Sequence, residues 1–141
     1  MRPLIALLAS TILLTGCAGP QNVSTGQPHP EVSSAPWDNA RQRGVDFRAI
    51  GQEPGWYLEI MNDDQILFVY NYGANRLEFP AAAPTRSDDD RLVYQTSNGV
   101  ETLTVTITPD PCTDIMSGEP FEHSVSVSLN GEDYRGCGRD L

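Results

Sequence analysis

The segment Thr102-Leu103-Thr104-Val105-Thr106-Ile107-Thr108 alternates without a break, three aliphatic side chains on one parity and four threonines on the other. A helix cannot use that pattern, because its side chains turn through about 100° per residue, whereas those of a strand point to opposite faces in turn. The segment reads as a strand with one buried face and one wet face. Ser124-Val125-Ser126-Val127-Ser128-Leu129 repeats the pattern and runs into Asn130-Gly131, after which Asp133-Tyr134-Arg135-Gly136 returns. Asn-Gly suits a two-residue type I′ hairpin turn, where both central positions need positive φ.

Shorter signals of the same kind precede these. Trp56, Leu58 and Ile60 share one parity, and Glu59 and Met61 take the other. Asn62-Asp63-Asp64 interrupts, and Ile66-Leu67-Phe68-Val69-Tyr70 follows. Leu92-Val93-Tyr94 leads through Ser97-Asn98-Gly99 to the threonine-rich strand. Beyond the first sixteen residues, no window of ten or more carries an apolar stripe of helical period. The sequence therefore predicts an all-β domain over residues 44–141, a small antiparallel sandwich or barrel of seven to eight strands. A chain of 141 residues has no room for a second domain beside it.

The amino terminus carries an address. Arg2 precedes an uncharged apolar run from Leu4 to Leu14, too short to span a bilayer and suited to a signal-peptide core. Leu14-Thr15-Gly16-Cys17 then resembles the bacterial lipobox, in which the thiol receives diacylglyceryl chains. Residues 1–16 are expected to be a lipoprotein signal peptide and Cys17 the lipidated residue. Several acyl chains, at about 0.8 kcal/mol per buried methylene, hold far more firmly than one. Ala18, rather than Asp, follows the cysteine. By resemblance to Gram-negative lipoproteins, that favours the outer membrane, at its periplasmic face. Pro20, Pro28, Pro30 and Pro36 lie among Gly, Ser, Gln and Asn, so residues 17–43 read as a lipidated, disordered linker. His29 falls inside it and reads as solvated.

Every basic side chain is an arginine, nine against nineteen acids, for a net charge of -10. Loss of Arg2 with the signal peptide would leave eight against nineteen, or -11. That balance argues against a nucleic-acid partner, because phosphate neutralisation supplies most of that affinity. It suits a basic protein or a small ligand, with the membrane reached through the lipid. With Cys17 acylated, Cys112 and Cys137 remain. Two exported thiols allow one connectivity, so a disulfide between them is expected. A redox or metal pair fits less well, since C-x-x-C is absent and His123 is the only nearby imidazole.

Three constellations could carry chemistry. In Phe47-Arg48-Ala49-Ile50-Gly51-Gln52-Glu53-Pro54-Gly55-Trp56, the glycines and proline suggest a bent approach to a strand. There Arg48, Glu53 and Trp56 either rim an apolar recess, or Trp56 plugs the core while Glu53 pairs with an arginine. The long connection from Pro109 to Pro120 contains Asp114, Met116 and Ser117. It is either a binding loop, or one in which Asp114 and Ser117 cap local backbone N–H groups. A serine-nucleophile reading lacks a G-x-S-x-G elbow, and His123, which starts a strand, reads as structural or solvated. Ser87-Asp88-Asp89-Asp90 reads as a solvated acidic turn, since the spacing of a calcium loop is missing. No cofactor, metal or catalytic residue is expected.

The motifs F-R-A-x-G-x-E-P-x-W at 47–56 and C-x-D-x-M-S-G at 112–118, the latter followed by Tyr134-Arg135-Gly136-Cys137-Gly138, resemble an uncharacterised family of Gram-negative envelope lipoproteins. Its members sometimes carry META/HslJ-like or lysozyme-inhibitor-like domains. The resemblance spans residues 45–139 and implies a small disulfide-bonded β domain with no established activity. The expected function is a non-catalytic, outer-membrane-anchored periplasmic module for binding or envelope maintenance. The alternative is an inhibitor of a basic host hydrolase such as c-type lysozyme, although that inhibitor's own Trp-x-Lys-Gly element has no counterpart here.

Overall fold

The structure is a computed structural model and describes residues 34–141. Cys17, the signal peptide, His29 and most of the expected linker lie outside the described residues. One short helix, α1 (Ala35–Gln42), precedes eleven strands. Eight of these are long: β1 (Phe47–Gln52), β2 (Gly55–Met61), β3 (Gln65–Tyr70), β4 (Asn75–Pro80), β6 (Leu92–Ser97), β7 (Thr102–Thr108), β10 (His123–Leu129) and β11 (Glu132–Asp140). The excess over the expected seven to eight comes from three two-residue strands, β5 (Thr85–Arg86), β8 (Cys112–Thr113) and β9 (Pro120–Phe121).

Nine strands form one antiparallel sheet in the order β4-β3-β2-β1-β11-β10-β7-β6-β5, and β8 pairs with β9 separately. The sheet curls into a half-barrel: it is one sheet rather than the two of a sandwich, and its edge strands β4 and β5 are not joined by a ladder as in a closed barrel. Where β4 and β6 approach, the Thr96 hydroxyl donates to the Pro80 carbonyl at 2.9 Å. Asn130 and Gly131 take φ of 51° and 88° and let Leu129 pair with Glu132, the tight turn that the sequence predicts.

Alternation fills the interior. Leu103, Val105 and Ile107 of β7 lie directly across from Leu129, Val127 and Val125 of β10. All six belong to one buried cluster with Leu58, Ile60, Ile66, Phe68 and Phe79. Full burial of each such side chain stabilises by about 1.5–3 kcal/mol. Trp56, 4% exposed, lies over two glycines. A Cβ on Gly51 would overlap its indole, and one on Gly136 would overlap both that ring and the Ile50 carbonyl. These glycines make the slot that the indole fills.

Two expectations need correction. The segment 47–56 is more than a bent approach to one strand; it is a hairpin, β1 and β2 joined at Glu53-Pro54, with Gln52 opposite Gly55. The expected linker extends too far, because 35–42 are helical and Trp37 and Ala40 are buried. Pro36 suits the first helical turn, where its missing N–H is no loss. The helix is held by tertiary contacts, since eight residues are too few for independent stability. Trp37 packs on Phe121 at 5.4 Å between centroids and is flanked by the guanidiniums of Arg48 and Arg139 at 5.5 and 4.8 Å.

Candidate functional site

The interior is lined by one buried apolar cluster; the recess beside the connection between β7 and β10 is the one that gathers residues singled out in the sequence. The connection between β7 and β10 is held at three points. Cys112 and Cys137 are disulfide-bonded, with Cα atoms 5.5 Å apart. The short ladder of β8 with β9 sets Cys112 opposite Phe121. Between them, Asp114 is 5% exposed and organises the tip. Its Oδ2 accepts from the Ser117 N–H at 2.8 Å and the Ser117 hydroxyl at 2.6 Å. Its Oδ1 accepts from Gln52 Nε2 at 3.1 Å, and its main-chain oxygen accepts from the Gly118 N–H. The capping role weighed for Asp114 is thus the one it has, and the Ser117 hydroxyl is engaged by a carboxylate rather than by an imidazole.

Burial pushes the Asp114 pKa up, but the hydrogen bonds from Ser117 and Gln52 outweigh it and hold the carboxyl below its ordinary value. A depressed carboxyl pKa contributes stability above the unfolded value of about 3.9, lost as pH falls through the folded pKa. The amide shift of Ser117, followed by NMR through acid, should therefore titrate with its midpoint below about 3.9. A midpoint at or above that value removes the cap from the account.

The cap turns the apolar tip outward: Ile115 is 83% exposed and Met116 71%. Beside the tip lies a shallow recess of about 300 Å³, lined by Gln52, Glu53, Asp114, Ile115, Arg135 and the disulfide. Of the residues expected to act together, Glu53 and Asp114 share this recess, and Met116 and Ser117 stand on the adjoining tip. Arg48 and Trp56 do not join them. Trp56 belongs to the core, and Arg48, on the outer face like the recess, is taken up beneath Trp37 by Glu59. His123 interacts through Nε2 with Asp140 at 3.3 Å, at the start of β10.

A second cluster escaped the sequence reading. Glu59 is fully buried on the outer face of β2. It accepts from Arg43 Nη2 at 2.6 and 2.7 Å and from Arg48 Nη1, directly across the hairpin. Burial pulls the Arg48 pKa below its ordinary value while Glu59 pushes it back, and an arginine stays a cation throughout. Arg48 also lies over the Tyr57 ring at 4.5 Å. Arg139, opposite Arg48 on β11, pairs with Glu119 at 2.7 Å and lies over Phe121 at 4.3 Å. Like charges facing each other across strands repel; here each has its own carboxylate and aromatic face. The available signal was parity: a glutamate between Leu58 and Ile60 must face away from the core and needs a partner.

Among the described residues, no helix is long and apolar enough to cross a membrane, and no group of three or more metal-ligating side chains occurs. Comparison of the chain with protein families, with curated proteins and with solved structures finds no match.

Proposed function

We propose that this protein is a non-catalytic, lipid-anchored envelope module, held at the periplasmic face of the outer membrane through Cys17, that uses the loop between β7 and β10 to meet a basic partner. The observation that carries the reading is the stapled loop. Its backbone is held by a disulfide and a buried carboxylate, yet its apolar tip, Ile115 and Met116, is turned into solvent. Exposed side chains on a stiff loop lose little entropy on binding, which favours contact through them. Glu53 and Asp110 are exposed beside or within this region, and the net charge of -10 steers a cationic protein toward the domain. The lipobox-like Leu14-Thr15-Gly16-Cys17 and the resemblance to envelope lipoproteins support the anchor.

Cys17→Ser in the full chain should move the protein from the membrane fraction to the soluble one, with the near-UV spectrum of the β domain unchanged. Membrane attachment that survives this change overturns the anchor. The more specific reading, inhibition of a basic hydrolase such as c-type lysozyme, is favoured by the combination of acidity and a protruding loop. Under it, micromolar Cys17→Ser protein at low salt inhibits a c-type lysozyme, and Met116→Asp removes the effect. No inhibition under those conditions removes the hydrolase reading.

A further inference from the structure

Among the described residues, the outer face of the half-barrel is only partly covered. Trp37 of α1 docks over β1 and β11, and the helix ends at Gln42. Beyond that end, β2, β3 and β4 carry a recess of about 440 Å³, within the size range of small-molecule sites. We propose that this recess binds a phosphoryl group carried on an apolar body, with the phosphoryl oxygens held between Arg43 and Arg76.

The charge balance supports an anion. Glu59 forms the floor, but its single carboxylate is shared by two guanidiniums, those of Arg43 and Arg48. Arg76, across the recess, donates through Nε and Nη2 to one oxygen of Glu78 at 3.2 and 2.8 Å. Three arginines thus meet two carboxylates, a local excess of one positive charge in a chain whose net charge is -10. Neither Arg43 Nη1 nor Arg76 Nη1 has a protein acceptor among the described residues. Both side chains are about half exposed, at 52% and 55%, so a ligand reaches them from solvent. Two guanidiniums approaching from different elements suit a tetrahedral head group with several oxygens better than a planar carboxylate. The walls supply the rest: Tyr57 and Met61 are half-buried, and Leu67 is 4% exposed, giving an apolar surface next to the charges. The site is separate from the loop at 109–120 and does not depend on how the chain is anchored.

The test is NMR titration of the Cys17→Ser chain with phenyl phosphate and with dihexanoyl phosphatidylglycerol as a monomer. Both should give saturable shifts at Tyr57, Met61 and Leu67, with inorganic phosphate at least tenfold weaker. Arg76→Gln, which removes an exposed side chain, should leave the melting temperature unchanged and weaken phenyl phosphate at least tenfold. Tighter binding of the phospholipid than of phenyl phosphate supports the site and assigns its phosphoryl group to a lipid head. The reverse order supports the site with a soluble phosphate ester. Unsaturated shifts at millimolar phenyl phosphate, or equal affinity in wild type and Arg76→Gln, overturn the proposal.

Discussion

Glu59→Ala should lower the unfolding free energy by about 3–5 kcal/mol, the usual cost of breaking a buried ion pair from one side. The expected loss comes mainly from what stays behind. The Arg48 side chain is 10% exposed, is enclosed by Trp37 and Tyr57 and keeps its charge. Without Glu59 that charge has no counterion, and its Nε already lacks an acceptor. Arg43 contributes less, because its side chain is 52% exposed and can turn to water. The carboxylate volume also becomes a cavity. A second variant separates charge from packing: Glu59→Leu with Arg48→Met removes both members and keeps most of the volume. Replacing a whole buried pair with apolar residues is often neutral or better, so this double variant should recover more than half of the loss. Urea denaturation at constant slope reads both numbers. An alanine variant within about 1 kcal/mol of wild type, well short of the expected cost, would show that the buried pair does not behave as described.

The same pair shows how far the sequence could be read. Strand parity alone turns Glu59 and Arg48 away from the core. What parity cannot supply is the register that sets them opposite each other. That register follows from Gln52 pairing with Gly55 across Glu53-Pro54, and a bent approach to a single strand gives no hairpin to count from. Where the turn chemistry was explicit, at Asn130-Gly131, both the hairpin and its register followed from local rules. The helix was illegible for a different reason. Eight residues hold barely two turns, too few for an apolar stripe to repeat, and only Trp37 and Ala40 are buried. Its stability comes from Arg48 in the next element and from Phe121 and Arg139, far away in the chain. Pro36 followed by Trp37 was the local hint, but scattered prolines and polar residues read as linker. The candidate site was half legible. Asp114 and Ser117 are three apart and meet locally, whereas the Gln52 contact to Asp114 and the recess beside the disulfide depend on β11 lying next to β1.

Removing the disulfide by Cys112→Ala with Cys137→Ala should cost about 3.5 kcal/mol, the chain-entropy value for a bond closing the 25-residue separation. For a domain of this size, that lowers the melting temperature by about 15–25 °C. Both cysteines are replaced because Cys137, 4% exposed, would otherwise remain as an unpaired thiol beside a vacated position. The two ends of the bond are held very differently without it. Cys137 sits in β11, paired on both sides by β1 and β10. Cys112 sits in a two-residue strand whose only ladder is to β9. The loss should therefore fall first on residues 109–122, whose amides should exchange fastest, while the β7–β10 ladder keeps its protection relative to the lowered global stability. Phe121 packs with Trp37 and Cys137 in the same small cluster, so loosening this loop should also loosen α1 and quench or shift Trp37 fluorescence before the half-barrel melts. If the tip meets a partner as proposed, contact through Ile115 and Met116 should weaken at temperatures where the half-barrel is intact, because a loosened tip loses more entropy on binding. Reduced wild type should reproduce the double variant; an unchanged melting temperature under oxidising conditions in the variant would mean that the loop is held by its ladder and by Asp114 alone.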